Sequence, residues 1–172
     1  MIGPFVHLRL GLGFSPRIAR FGTFGMPVRS RTSALQSLPE CFVIPSDACA
    51  AHRIRDHIAT RLREGGYPER DVLDVLQALD EAMVNAIKHG NCCDSKKMLR
   101  ISFCVDQDCF QICIEDEGQG FDPANIADPL SPECLEIPCG RGLLMMRHYM
   151  SEVSYLEPGN AVMMVKKRCG CE

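Results

Sequence analysis

Tryptophan is absent from these 172 residues, and aromatic side chains make up only 6% of the chain. Platforms for stacking unpaired bases therefore lack their usual material. An excess of positive charge is missing as well. Nineteen Lys and Arg stand against 22 Asp and Glu, a formal net charge of -3, so no field for direct nucleic-acid binding is built in. No apolar run approaches the ~20 residues that cross a bilayer. A soluble, cytoplasmic protein without a membrane partner is the expectation. Acidic residues are missing from everything before Glu40, where Arg9, Arg17, Arg20, Arg29 and Arg31 alone carry charge among broken apolar runs. Gly and Pro interrupt those runs, so residues 1–38 are expected to form a disordered basic extension ahead of a domain over 39–172. A translation start at Met26 would also fit this composition. Cysteine is plentiful, with eleven residues, but the number is odd and no Cys-x-x-Cys pair occurs. That excludes the usual zinc spacing and favours reduced thiols.

What is present becomes regular from Phe42 onward. Cys41 to Ile44 reads as a short strand. Ser46 or Asp47 then caps a helix whose Ala50, Ile54, Ile58 and Leu62 recur every fourth residue until Gly65-Gly66. Pro68 opens a second helix at a first-turn position, with a wide apolar stripe from Val72 to Ile87 and a stop at Gly90-Asn91. Leu99, Ile101, Phe103 and Val105 alternate with less apolar residues. Phe110, Ile112 and Ile114 alternate on the return strand. The Pro-rich segment from Asp122 to Cys139 has the length of a lid, a binding loop or a disordered stretch. Gly140 to Met150 reads as a third helix, and Glu152 to Leu156 with Ala161 to Lys167 as a hairpin across Pro158-Gly159-Asn160. The order β-α-α-β-β-α-β-β predicts an α+β fold, helices layered on one face of a mostly antiparallel sheet.

Three clusters carry candidate chemistry. Glu81 and Asn85 stand one helical turn apart, with Lys88 continuing their stripe. A carboxylate and a carboxamide so placed can hold a hydroxyl and a hard cation, although spacing alone favours an ordinary solvated face. Strand parity puts Asp116 on the core side of Phe110, Ile112 and Ile114. Buried without a donor it costs several kcal/mol, and an adenine amino group is a suitable donor. Gly118 and Gly120 would let a flat ring approach the backbone, and they equally suit a strand-ending turn with a solvated Asp. Gly140-Arg141-Gly142-Leu143 at a helix start offers free N–H groups and a cation to phosphate, a weak signal by itself.

In one order, with the long segment before the third, these clusters resemble the GHKL ATPases. Glu81-x-x-x-Asn85 is similar to their N box, Asp116-x-Gly118-x-Gly120 to the box that reads adenine, and Gly140-x-Gly142 to the phosphate box. The likeness runs from about residue 40 to residue 168. Glu81-Ala82 and Asn85-Ala86 followed by His89-Gly90 look like the bacterial anti-sigma-factor serine/threonine kinases, as does the run Met150-Ser151-Glu152-Val153. The resemblance implies the Bergerat fold, a two-layer α/β sandwich with a mixed, mostly antiparallel sheet. It further implies ATP and Mg²⁺ as cofactors, a STAS-type anti-anti-sigma protein as substrate, a sigma factor as second partner and a possible homodimer. Glu81 would be the general base and Asn85 the Mg²⁺ ligand. Asp116, Gly118 and Gly120 would hold adenine, and Lys88, His89, Gly140, Arg141, Gly142 and Leu143 would complete the nucleotide contacts. Leu144 departs from the small residue common at its place, and Cys92-Cys93 has no assigned role. A non-catalytic, ATP-responsive anti-sigma module is the alternative. A histidine kinase acting in trans is disfavoured because residues 1–38 show no helical period and His52 and His57 lack phospho-acceptor surroundings.

Overall fold

The computed structural model describes residues 6–7, 39–120 and 141–170. Short strand β1, Val6–His7, is followed by β2, Glu40–Pro45, then the helices α1, Ala48–Glu64, and α2, Glu69–Asn85. A π-type turn, Ala86–Gly90, extends α2. After β3, Met98–Val105, and β4, Cys109–Glu115, come α3, Arg141–Tyr149, and the strands β5, Glu152–Leu156, and β6, Ala161–Lys167. The six strands lie in the order β1-β2-β3-β4-β6-β5. Every pairing among the described residues is antiparallel, where the sequence resemblance allowed a mixed sheet. The rest of the N-terminal segment, the stretch from Asp122 to Cys139, and Gly140 lie outside the described residues.

Local chemistry accounts for the element ends. Asp47, rather than Ser46, caps α1: its Oδ1 accepts the Ala50 N–H at 2.8 Å, a bond worth about 1 kcal/mol. Gly65 ends that helix as expected. Pro68 stands one position earlier than the sequence suggests, as the cap residue of α2, and Glu69 and Asp71 put negative charge at its positive end. β1 carries no sequence signal, since two residues become a strand only by pairing with the free edge of β2, Val6 opposite Val43.

The core lies between the helices and one face of the sheet. Ile54, Ile58 and Leu62 of α1 and Val72, Val75 and Leu79 of α2 are buried against Leu99, Ile101, Phe103, Phe110, Ile112 and Ile114. Each such side chain contributes about 1.5–3 kcal/mol. The opposite face is also covered in its middle, where Cys41, Ser102 and Cys113 sit side by side and buried. Burial pushes the Cys113 thiol up to about 12, so it stays protonated and unreactive. All cysteines among the described residues are free thiols.

One buried polar network ties the helical layer to the sheet. Lys166 Nζ of β6 donates to Asp74 Oδ2 at 2.6 Å and to the Tyr149 carbonyl at 2.9 Å, and stands 3.8 Å from Asp71 Oδ1. Asp71 is fully buried, and its Oδ2 accepts the Cys169 N–H at 2.8 Å. Together these contacts fix the end of β6 and the end of α3 against the start of α2.

Candidate functional site

At the end of β4 the chain leaves the sheet through Asp116, whose side chain follows Ile114 on the helix-facing side. Only 9% of Asp116 is exposed. Its backbone is fastened to the β5–β6 turn on both sides: its N–H donates to the Asn160 carbonyl, and its carbonyl accepts from Asn160 Nδ2, each at 2.9 Å. Oδ1 accepts the Gly118 N–H at 2.8 Å. Oδ2 has no hydrogen bond from any described residue. Burial holds the carboxyl above its usual range, while the Gly118 N–H and the charge of Lys97 pull it back down. That second oxygen, on the cavity lining, is left for water or for a donor on a ligand.

Glycines crowd around this carboxylate for a steric reason. A Cβ on Gly90 would strike the Asp116 carboxyl, and one on Gly118 would strike the Gly90 carbonyl. Gly120 has φ +77, and a Cβ there would meet the Pro158 carbonyl. The close approach that glycine permits is thus between three protein segments, which together build one wall of the site.

That wall faces a cavity of about 960 Å³, large enough for a ligand of nucleotide size. Into the same cavity α2 presents Glu81 and Asn85, and the π-type turn adds Lys88 and His89. The turn is wide because the Asn91 N–H reaches the Ala86 carbonyl, five residues back, at 2.7 Å. Cys92 and Cys93 follow in the left-handed region, φ 55 and 57, which turns the chain toward β3. The first turn of α3 closes over these side chains. A Cβ on Gly142 would stand 2.7 Å from Glu81 Oε2 and 3.3 Å from Asn85 Nδ2, so any larger residue there would push these two side chains aside. Leu143 follows and is buried at the inner end of the cavity.

Glu81, Asn85, Lys88, His89, Asp116, Gly118, Gly120, Gly142 and Leu143 therefore line one cavity, although they come from three separate parts of the chain. Arg141 opens α3, and Gly140 lies outside the described residues. None of the side chains of Glu81, Asn85 and Lys88 hydrogen-bonds to a described residue, which distinguishes this helix face from the paired one between α1 and α2, where Arg55 meets Asp80 at 2.8 Å. Among the described residues no group of three His, Cys, Asp or Glu could hold a metal ion. A cation here would find the carboxamide oxygen of Asn85 and the oxygens of a bound anion, the hard, mostly non-protein set that suits Mg²⁺. No helix of the described residues is long and apolar enough to cross a membrane.

Sequence reasoning missed several members of the site. Asn160 reads as a turn residue and Asn91 as a helix stop, yet both hold the strand end that carries Asp116. Lys97 and Tyr155 also line the cavity. No spacing announces them, because they come from loops and an edge strand.

Comparison with known proteins agrees with this geometry. Residues 44–166 match the family described as the histidine kinase-like ATPase domain. An anti-sigma F factor of Clostridium perfringens is 31% identical over 102 residues, 56% of this chain and 73% of the relative. A serine-protein kinase RsbW of Staphylococcus epidermidis is 29% identical over 131 residues, covering 72% and 82% of the two chains. A crystal structure of RsbU and RsbW domains from Mycobacterium tuberculosis superposes with a TM-score of 0.53 at 19% identity. It covers 77% of this chain, which spans 32% of that larger one, and the likeness is one of fold. The fold, the convergent cavity and the sequence match over most of its length make this chain a member of the histidine kinase-like ATPase domain family.

Proposed function

We propose that the protein is an ATP-dependent serine/threonine kinase of an anti-sigma-factor partner switch, which phosphorylates an anti-anti-sigma protein and binds a sigma factor. One observation carries the reading: Glu81, Asn85 and Gly142 converge in the same cavity that Asp116 lines. The names of the relatives, serine-protein kinase and anti-sigma factor, support the same assignment.

Asp116 Oδ2 accepts the exocyclic amino group of adenine, the donor that its burial calls for. The first turn of α3 offers its N–H groups to the phosphates, with Arg141 opening that turn in sequence and Lys88 on the cavity lining. Mg²⁺, held through the Asn85 oxygen, would supply neutralisation of the β- and γ-phosphate charge. Glu81 accepts the proton of the substrate Ser or Thr hydroxyl. That oxygen bonds to the γ-phosphorus as the bond to the β,γ-bridging oxygen breaks, and ADP leaves. Positioning and charge neutralisation are the whole task in phosphoryl transfer.

The test is to incubate the protein with γ-labelled MgATP and a candidate anti-anti-sigma protein. Label is expected on the partner. With Glu81→Ala, transfer should fall by about 10²-fold or more while ATP affinity changes little. Tight ATP binding with no transfer by the unaltered protein would instead assign a nucleotide-responsive binding module.

A further inference from the structure

Asn91 is completely buried, yet it belongs to neither the apolar core nor the row of side chains facing the cavity. Its carboxamide is used at both ends. Nδ2 donates to the Met98 carbonyl at 3.1 Å, and Oδ1 accepts the Glu117 N–H at 2.8 Å. The Glu117 carboxylate reaches back to the Met98 N–H at 3.1 Å, which closes a small ring of bonds over the ends of β3 and β4. The backbone of Asn91 is the anchor of the π-type turn, through its N–H to Ala86. Its neighbour Gly90 lies directly against the Asp116 carboxyl and Gly118.

We propose that Asn91 is a positioning residue for nucleotide recognition, fastening the turn after α2 to the strand end that carries Asp116 and so fixing that carboxylate at the adenine edge. The assignment rests on the reading of Asp116 as the adenine acceptor. Physically, one side-chain amide spans the two halves of the site: the helix that bears Glu81 and Asn85, and the strand that bears Asp116. Without it, the Glu117 N–H loses a buried acceptor, and the turn that carries Gly90 keeps its own backbone bonds but loses its side-chain tie to the end of β4. The Asp116 backbone would remain tied to Asn160 on its other side, so the chain should fold and the aim of the carboxylate should loosen.

The experiment compares ATP with purine riboside triphosphate, which lacks only the exocyclic amino group, by calorimetry with Mg²⁺ present. The unaltered protein should prefer ATP by roughly tenfold or more, the worth of a hydrogen bond to a charged acceptor. Asp116→Asn should abolish that preference; if it survives, the adenine reading itself fails. Asn91→Ala should shrink the preference to within about twofold while binding of the purine analogue changes little, and it should add nothing in the Asp116→Asn background. A loss of equal size for both nucleotides marks a merely structural role and overturns the proposal, as does an intact preference. Should Asn91→Ala not fold, Asn91→Asp keeps an oxygen for the Glu117 N–H and sets its second oxygen against the Met98 carbonyl, a buried repulsion in place of that bond. An ATP preference lowered about threefold then supports the assignment, and an unchanged one overturns it.

Discussion

Asp116 concentrates the conflict between stability and function in a single carboxyl group. Burial raises its pKa, with the Gly118 N–H and Lys97 opposing. A carboxyl whose folded pKa exceeds its unfolded one contributes stability below the unfolded value and loses it as pH rises through the folded value. Once ionised in the nucleotide-free protein, this carboxylate is an unfavourably desolvated charge. Asp116→Asn keeps an oxygen for the Gly118 N–H and removes that charge. It should raise the melting temperature without nucleotide by roughly 2 °C, the effect of about 0.5–1 kcal/mol in a chain of this size. The same variant should lose ATP affinity by roughly tenfold or more. Calorimetry across pH adds a second check, because only the ionised carboxylate accepts freely from adenine. ATP affinity should fall as pH drops through the raised pKa of Asp116, and that slope should vanish in Asp116→Asn. A variant no more stable than the original, or one that keeps its pH slope, contradicts this account.

The elements were largely legible in the sequence, for reasons visible in particular residues. Alternation at Leu99, Ile101 and Phe103 fixed a strand, since a one-residue slip would turn all three away from the core. The fourth-residue repeat of Ile54, Ile58 and Leu62 fixed α1 in the same way. The π-type turn was not legible, because Ile87, Lys88 and His89 read as ordinary helix and the extra width comes from the reach of the Asn91 N–H to Ala86. Glu81, Asn85 and Asp116, which line the cavity from periodic elements, could be picked out in the sequence. Those that serve by bonding distant backbone, Asn91 and Asn160, could not. The network at Lys166 was equally hidden, since Asp71 and Asp74 look like solvated positions in the first two turns of a helix. Lys166→Met would leave both carboxylates without their cation, and Asp71 has no exposure to water. Unfolding in urea should show a loss of about 3 kcal/mol, in the range for removing one partner of a buried pair. The end of α3 would be released from β6 at Tyr149, so ATP affinity should fall along with stability. A variant of unchanged stability would show that the two carboxylates are adequately served by water and the Cys169 N–H.

For the molecule as a whole, the cavity lies where the helical layer and the sheet part company. Its walls are α2, the start of α3, the end of β4 and the β5–β6 turn, four pieces joined elsewhere by the common core. A ligand that touches all four should act as a clasp across the two layers, and binding to the folded state alone stabilises it by mass action. At free MgATP about 100 times the dissociation constant the gain is about 2.7 kcal/mol, which corresponds to a rise of roughly 5–10 °C in melting temperature for a chain of this length. ADP should give a similar rise if adenine and the first phosphates supply most of the contacts, whereas tripolyphosphate should give little. Gly142→Ala separates the two ends of the cavity. Its Cβ would press on Glu81 and Asn85, so the phosphate end is disturbed while Asp116 is left in place. In that variant the melting rise from MgATP should shrink toward the rise given by adenosine alone. Equal rises from MgATP and adenosine in the unaltered protein would mean that the α3 end of the cavity does not hold phosphate.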